Sequence, residues 1–262
     1  MRRNRNHVFN EALCATGLSF VIAASVVTAV TTLSATASAT VQKPRQASQR
    51  KSSPKRIAVT REMIREAQER LLHLGYWIGD ADGKWGEASR HGLIAFQKVE
   101  SRPRTGKLTR DELQALRNAS RPTPRDRGFA HIEVDLNRQV LFIVAGDSTV
   151  SKILPVSTGD GKPFTLEGYT QPAVTPPGRF RVYRKLPGWR KSPLGLLYYP
   201  NYIVGGIAIH GNPSVPAHPA SHGCIRIPMF AAEEFSEMAP VGTQVIVYSA
   251  GQPAPGLPHS TD

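Results

Sequence analysis

The sequence of 262 residues predicts an α+β protein in which a small three-helix module precedes a mainly β domain. Apolar residues recur at helical spacing within residues 59–118. Short alternating or apolar runs, which are typical of strands, dominate residues 129–249. Residues 119–128, with several prolines and arginines, are the expected linker. Because the strand candidates follow at short intervals, we expect the second domain to be a β-sandwich or a partly closed barrel.

The first 39 residues have the order of regions found in a secretory signal peptide. Three arginines precede a mostly apolar stretch from Ala12 to Leu33, and small residues up to Ala39 offer cleavage sites. We therefore expect residues 1–39 to be removed and the protein to be secreted into the cell wall or periplasm. An uncleaved membrane anchor is the alternative, because the stretch is nearly long enough to span a bilayer.

The chain is strongly basic, with a formal net charge of +13 at pH 7. Removal of residues 1–39 takes away three arginines and one glutamate and leaves +11. Residues 40–58 contain six basic and no acidic residues, so we expect a disordered tether. This tether is either a soluble linker or a contact for an anionic wall polymer or membrane surface. Secretion argues against nucleic acid as a partner. Residues 250–262 are expected to be a disordered tail.

The three helices of the module are predicted from apolar spacing and from their caps. The first helix has apolar residues on one face: Met63, Ile64, Ala67, Leu71 and Leu74. Gly75 is its stop signal, and a second apolar-periodic run covers Ala88 to Val99. The third helix follows Thr109, which forms a capping-box pattern with Glu112.

The second domain begins with an alternating run from Ile132 to Leu136, which predicts a half-buried strand. Further strand candidates are Val140–Val144, Ile153–Val156, Phe180–Tyr183, Tyr202–Ile209 and Gln244–Tyr248. Met229 to Met238 has a helical composition and an apolar stripe. Residues 159–178 form a long connection, so we expect a loop that lines the substrate site.

Cys224 is the candidate nucleophile. Cys14 lies in the segment expected to be removed, so Cys224 is left as a single thiol without a disulfide partner. His222 and Gly223 precede it, and His210 stands fourteen positions upstream. A thiol with a pKa of about 8.5 is mostly protonated at neutral pH, so a neighbouring imidazole is needed to accept its proton. The alternative is a buried cysteine that only packs.

The same side chains raise the question of a metal site. His210, His222 and Cys224 have the residue types of a catalytic zinc site. However, no second mature cysteine and no His-Glu-x-x-His pattern accompany them, and residues 203–227 contain no Asp or Glu. We therefore expect neither a metal nor a cofactor. His218, which stands just before a proline, is expected on an exposed loop.

Two motifs carry a resemblance to a known family. Ile209-His-Gly211 and Ser221-His-Gly-Cys-Ile-Arg226 resemble the catalytic motifs of the L,D-transpeptidase (YkuD-type) family. Ser157-Thr-Gly159 and Thr175-Pro-Pro-Gly-Arg-Phe180 support this resemblance. One departure is that only ten residues separate His210 from Ser221, so the loop beside the site is expected to differ from that of other members.

The resemblance implies a role for each residue of the motifs. Cys224 is the nucleophile and His210 its general base, which the backbone carbonyl of Gly211 orients. His222 shapes the site and aids charge stabilisation, and the backbone N–H groups of Gly223 and Cys224 form an oxyanion hole.

Ser221 and Arg226 are assigned to substrate binding, since a guanidinium pairs well with a substrate carboxylate. The alternative for Arg226 is an ion pair with an acidic side chain such as Glu233.

The resemblance also implies the reaction. Cys224 attacks the carbonyl of the third residue of a peptidoglycan tetrapeptide stem and releases the terminal D-alanine. The side-chain amine of another stem then attacks the thioester and forms a 3→3 cross-link, a step of cell wall biogenesis that bears on cell shape. If water attacks instead, the enzyme is an L,D-carboxypeptidase. Acylation by carbapenems is implied as well.

An alternative of a different class is a non-catalytic wall-binding protein that keeps the fold as a scaffold. A catalytic Cys224 with a depressed pKa is expected to react rapidly with a thiol probe near neutral pH, whereas a scaffold cysteine is not.

The helical module has a resemblance of its own. Leu74-Gly-Tyr76, Asp82-Gly-Lys-Trp-Gly86 and Ala95-Phe-Gln97 resemble landmarks of the peptidoglycan-binding domain type 1 family. The resemblance implies binding of cell-wall glycan through residues 59–118, and a helical spacer is the alternative. The module departs from the family where Arg102-Pro-Arg104 replaces a glycine-rich connection.

Overall fold

The computed structural model describes residues 58–249, which begin with three helices. These are α1 (Arg61–His73), α2 (Glu87–Val99) and α3 (Arg110–Asn118). Thr60 caps α1 by accepting the Met63 N–H, and Thr109 caps α3 by accepting the Glu112 N–H at 3.1 Å. The predicted helical module is confirmed. No helix within the described range is long and apolar enough to cross a bilayer.

The predicted signal peptide, the tail and all of the predicted tether except Ala58 lie outside the described residues.

Residues 131–248 of the described chain form twelve strands. They are β1 (His131–Asp135), β2 (Val140–Val144), β3 (Val150–Pro155), β4 (Pro163–Leu166), β5 (Tyr169–Pro172), β6 (Gly178–Arg181), β7 (Arg184–Lys185), β8 (Trp189–Ser192), β9 (Gly195–Val204), β10 (Ile207–Asn212), β11 (Ile225–Pro228) and β12 (Gln244–Tyr248). A 3-10 helix (Met229–Ala231) and α4 (Ala232–Met238) lie between β11 and β12.

The strands form two larger sheets and one hairpin. The first sheet has the order β3-β2-β1-β12-β6, with β1 and β12 parallel. The second has the order β11-β10-β9-β7, with β8 also paired to β9 and with β10 and β11 parallel. Strands β4 and β5 pair only with each other. The sheets do not close into a barrel, so the predicted α+β class is confirmed in its sandwich-like form.

The inner faces of the two sheets share one hydrophobic core with α4. Val134 of β1, Ile209 of β10 and Phe235 of α4 are fully buried in it. Gly211 allows the close packing of β10 on α4, because a Cβ atom at this position would lie 2.6 Å from Ala232 Cβ. Burial of a side chain such as Val134 or Ile209 contributes about 1.5–3 kcal/mol to the free energy of unfolding.

The outer face of the first sheet is covered by the helical module. Leu71 and Phe96 of the helices share a second core with Phe142 of β2 and Ile153 of β3. The two predicted domains are therefore joined by a common hydrophobic core, which neither could complete alone.

The module also pairs with the edge strand β3 through its backbone. The Ile153 N–H donates to Gly75 O at 2.8 Å, and the Trp77 N–H donates to Ile153 O at 3.0 Å. The Trp77 side chain packs into the inner core. This pairing gives hydrogen-bond partners to the Ile153 N–H and C=O groups, which would be unpaired at an uncovered sheet edge.

Burial by the flanking segments corrects the prediction for β1. The alternation predicted a half-buried strand, but every residue of β1 is buried. On its outer face, the Glu133 carboxylate accepts the backbone N–H groups of Arg125 (3.0 Å) and Asp126 (2.7 Å). His131 also contacts Glu133 at 3.0 Å. The predicted linker thus lies on the sheet and donates backbone hydrogen bonds to the buried Glu133 carboxylate.

Two further element predictions are corrected by local turns, and a third is refined. The predicted strand Tyr202–Ile209 is two strands, because a turn at Gly205 and Gly206 separates β9 from β10. The predicted helix from Met229 begins as a 3-10 turn. The long connection 159–178 contains the β4–β5 hairpin, since Glu167 and Gly168 adopt the positive φ angles that a tight turn requires.

Candidate active site

A cleft of about 690 Å³ lies on the exposed side of the second sheet. Four of its lining side chains come from β10, β11 and the segment before β11: His210, Ser221, Cys224 and Arg226. We call these four side chains the floor. Two hairpins, β4–β5 and β8–β9, supply much of the remaining lining, and we call them the rim.

Strand register explains why three floor residues share a face. In the parallel pair β10–β11, Ile209 is opposite Ile225 and His210 is opposite Arg226. Side chains alternate along a strand, so the two isoleucines point into the core. His210, Arg226 and Cys224, one residue before Ile225, then face the cleft.

His210 is held in one tautomer. Its Nδ1 lies 2.9 Å from Gly211 O, and a carbonyl can only accept, so Nδ1 carries the hydrogen. Burial lowers the pKa of His210 to about 4; the contact with Gly211 O opposes this, while the Arg226 charge adds to it. The imidazole is therefore neutral at pH 7, with the Nε2 lone pair free to accept a proton.

Cys224 is a neutral thiol in the resting site. Burial raises its pKa, against the hydrogen bond with the Ala208 backbone and the Arg226 charge. Its Sγ lies 3.8 Å from Gly206 O. The Cys224 side chain is therefore mostly protonated near neutral pH. This raised pKa differs from the depressed pKa expected of a catalytic cysteine that reacts rapidly with a thiol probe.

Ser221 shapes the turn that precedes the nucleophile. Its Oγ donates to Cys224 O at 2.5 Å and accepts the Gly223 N–H at 3.1 Å. Gly223 has a φ of +140°, and a Cβ there would lie 3.0 Å from Val174 O, so glycine is required by conformation and space. Because the Gly223 N–H is already engaged, the Cys224 N–H is the member of the expected oxyanion pair that remains available.

Thr175 is a site residue that the sequence analysis did not assign. Its Oγ1 donates to Gly223 O at 2.6 Å and accepts the Gly159 N–H at 2.9 Å. It is buried and joins two segments of the site. The motif Thr175-Pro-Pro-Gly-Arg-Phe180 supports the family resemblance, but it assigns no role to the Thr175 side chain.

The comparisons agree with this geometry. Residues 130–247 match the L,D-transpeptidase catalytic domain family, and residues 60–116 match the putative peptidoglycan binding domain family. A crystal structure of an L,D-transpeptidase (residues 123–326) from Xylanimonas cellulosilytica is 37% identical, with a TM-score of 0.69. The match covers 74% of this chain and 97% of that one. The chain belongs to the L,D-transpeptidase family.

More distant structures carry the same family name. An L,D-transpeptidase from Stackebrandtia nassauensis is 22% identical over 74% of this chain and 93% of that one, with a TM-score of 0.42. One from Mycobacterium smegmatis is 23% identical over 45% of this chain and 58% of that one, with a TM-score of 0.37. No curated protein matches the chain.

The remaining predicted site residues lie at different depths. His222 is exposed at the rim, where its ring packs edge-on against Phe164 at 4.9 Å between centroids. Arg226 lies in the floor, and Glu233 accepts a hydrogen bond from the Tyr199 hydroxyl at 2.6 Å. None of the ion pairs among residues 58–249 joins Arg226 to Glu233, the alternative partner. His218 is exposed on its loop, and its backbone carbonyl accepts from Ser157 Oγ.

The Lys and Arg side chains that line the cleft give it positive charge. The lining includes Arg184 of β7, Arg190 and Lys191 of the rim and Arg226 of the floor, whereas no Asp or Glu is among its lining side chains. Arg184 is fixed over the Tyr202 ring at 4.3 Å. A cleft lined by cations attracts anionic ligands.

Within residues 58–249, no group of three or more His, Cys, Asp or Glu side chains is placed to hold a metal ion.

Proposed function

We propose that the chain forms 3→3 peptidoglycan cross-links through a thioester on Cys224. The observation that carries the proposal is the neutral His210 imidazole, whose Nε2 lone pair is free on the same face of the cleft as the Cys224 thiol. A neutral base and a neutral thiol that line the same cleft suit proton transfer during attack, since neither group is charged before the substrate binds.

In the acylation step, Cys224 Sγ forms a bond to the carbonyl carbon of the third stem residue as its proton passes to His210 Nε2. The developing oxyanion is stabilised by the Cys224 N–H. The bond to the terminal D-alanine breaks, and the leaving amine takes the proton from His210. A thioester and free D-alanine result.

In the transfer step, the side-chain amine of a second stem attacks the thioester carbon. His210 accepts a proton from this amine, the bond to Sγ breaks, and the sulfur regains the proton. Water in place of the amine gives the L,D-carboxypeptidase reaction with the same atoms and residues.

The charge of the cleft supports a stem peptide as the substrate, because such peptides carry carboxylates. Arg226 is the floor residue proposed to bind a carboxylate of the donor near the reacting carbonyl. Ser221 contributes by holding the Cys224 carbonyl. His222, whose ring packs on Phe164, is proposed to shape the rim above the thiol.

The module offers a separate groove for the proposed glycan contact. This groove of about 430 Å³ is lined by Ile64, Trp85, Arg90 and Lys107, among others. An aromatic ring beside cationic side chains suits a sugar chain that carries acidic peptides. We also propose that residues 1–39 direct secretion and that the basic residues 40–58 contact an anionic wall polymer or membrane surface.

The test is incubation of the purified chain with disaccharide-tetrapeptides, followed by mass spectrometry of the products. Cross-linked dimers with loss of one D-alanine support the transferase. Tripeptides alone would replace it by the carboxypeptidase. If the products match those of a Cys224→Ala control, the enzyme proposal is wrong, and the non-catalytic wall-binding protein takes its place.

A further inference from the structure

Lys98 carries a buried amine that belongs to the helical module and has no part in the proposed chemistry. It lies in the last turn of α2 and is 1% exposed. Its Nζ donates to Gln139 O and to Val156 O, both at 2.9 Å. None of the ion pairs found within residues 58–249 includes it. Burial lowers the pKa of Lys98 to about 7, and the charge of Arg104 adds to this. The two hydrogen bonds to carbonyls offset part of the cost of burying the amine.

The two carbonyls belong to segments of the catalytic domain that hold each other. The Val156 N–H donates to Gln139 O at 2.9 Å. The Gln139 side chain binds Thr158 at both ends, because Nε2 donates to Oγ1 at 2.7 Å and Oε1 accepts the Thr158 N–H at 3.0 Å. Lys98 therefore fixes the start of the chain segment that leaves β3.

That segment supports the loop of the nucleophile. Thr158 O accepts the Ala220 N–H at 3.0 Å and the Ser221 N–H at 2.9 Å. Ser221 Oγ in turn donates to Cys224 O. An unbroken series of hydrogen bonds thus runs from the module to the residue that carries the thiol.

A second side chain of the module reaches the same loop. Arg104 Nη1 donates to Ala217 O at 3.0 Å. The two departures from the family patterns meet in this contact, since Arg104 stands in place of a glycine-rich connection and Ala217 lies in the short interval between His210 and Ser221.

We propose that the helical module is a positioning part of the catalytic unit, in which Lys98 and Arg104 hold residues 217–224 in the geometry that presents Cys224. Lys98 contacts neither the cleft nor the reacting atoms, so it is a positioning residue. This role is independent of any glycan that the module binds. It goes beyond the cross-linking reaction, because it concerns the order of a loop rather than the fate of the acyl group.

The test compares Lys98→Met, which keeps the length of the side chain, with Lys84→Met on the exposed surface of the same module. Hydrogen exchange of the amides in residues 217–224 is measured by mass spectrometry. We expect exchange at least about tenfold faster in Lys98→Met, with β12 unchanged, because a local opening free energy falls by about 1.4 kcal/mol or more. On a soluble tetrapeptide, kcat falls about tenfold while KM stays within twofold. Lys84→Met behaves as wild type.

The proposal is overturned if exchange of residues 217–224 in Lys98→Met stays within twofold of wild type, or if exchange rises equally throughout the chain. If Lys98→Met does not fold, Arg104→Met and Thr158→Val decide the question, and the proposal is wrong if both leave that exchange within twofold. Exchange does not depend on turnover, so a failed cross-linking assay leaves this test intact.

Discussion

The floor and the rim of the cleft are built in opposite ways. The floor residues lie on strands or on the turn at Gly223, and the side chains of His210 and Ser221 are hydrogen-bonded to the neighbouring backbone. The rim hairpins are exposed, and their side chains carry positive charge and apolar surface such as Leu194 and Leu196. We infer from this difference that the proposed reaction depends on fixed geometry and the capture of substrate on charge. Substitutions of His210, Ser221 and Cys224 in the floor should therefore change kcat, and those in the rim should change KM.

The largest effect is expected for Cys224→Ala. Removal of the nucleophile should lower kcat by at least about 10⁴-fold, because no other group in the floor can form the thioester. The measurement is the rate of D-alanine release from the tetrapeptide. A melting temperature close to that of wild type serves as the control for folding, and turnover that survives in this variant would remove Cys224 from the mechanism.

His210→Asn should have the next largest effect, with kcat about 10²- to 10⁴-fold lower than in wild type. The pH profile sharpens this prediction. The pKa of His210 is lowered to about 4, so the base is neutral above that pH and is lost only as the pH falls through it. Wild-type kcat/KM should therefore hold down to about pH 5 and drop near pH 4. A drop centred near pH 6.5 would contradict the buried, neutral imidazole.

Ser221→Ala should have an intermediate effect. It removes the hydrogen bond to Cys224 O and frees the Gly223 N–H. The loss of one such bond costs about 1 kcal/mol, so kcat should fall about five- to tenfold with KM little changed. Steady-state kinetics separates the two parameters. An increase in KM alone would place Ser221 with the rim rather than with the floor.

The smallest effect is expected at the rim. Arg190→Gln combined with Lys191→Gln should raise KM about three- to tenfold and leave kcat within twofold, because exposed charges attract the substrate through a screened field. Added salt should shrink the difference from wild type. Arg65→Gln, on the exposed surface of α1, is the matched control. A KM that stays unchanged at low salt would show that the cationic lining does not capture the donor.

Sequence patterns predicted the floor better than the rim for a physical reason. His210 stands on β10, and Ser221 and Cys224 stand in the segment just before the adjacent strand β11, so these short motifs carry the geometry. The rim strands β8 and the first half of β9 lack the alternation of a half-buried sheet, since Trp189 and Leu196 are both exposed, and they were not predicted.

Other misses came from contacts that are distant in sequence. The alternation of β1 suggested solvent on one side, but the outer face receives the backbone of Arg125 and Asp126. The buried position of Lys98 depends on carbonyls 41 and 58 residues away. No local pattern records such pairings, because they arise only when the module covers the sheet.

The thioester on Cys224 is the central claim, and it is tested most directly by rapid acid quench of wild-type enzyme with disaccharide-tetrapeptide, followed by mass spectrometry of the intact protein. The account predicts an added mass equal to the substrate without D-alanine, located by proteolysis to the peptide that contains Cys224 and absent from Cys224→Ala. An adduct on another residue, or cross-linked products formed without any adduct on Cys224, would contradict it.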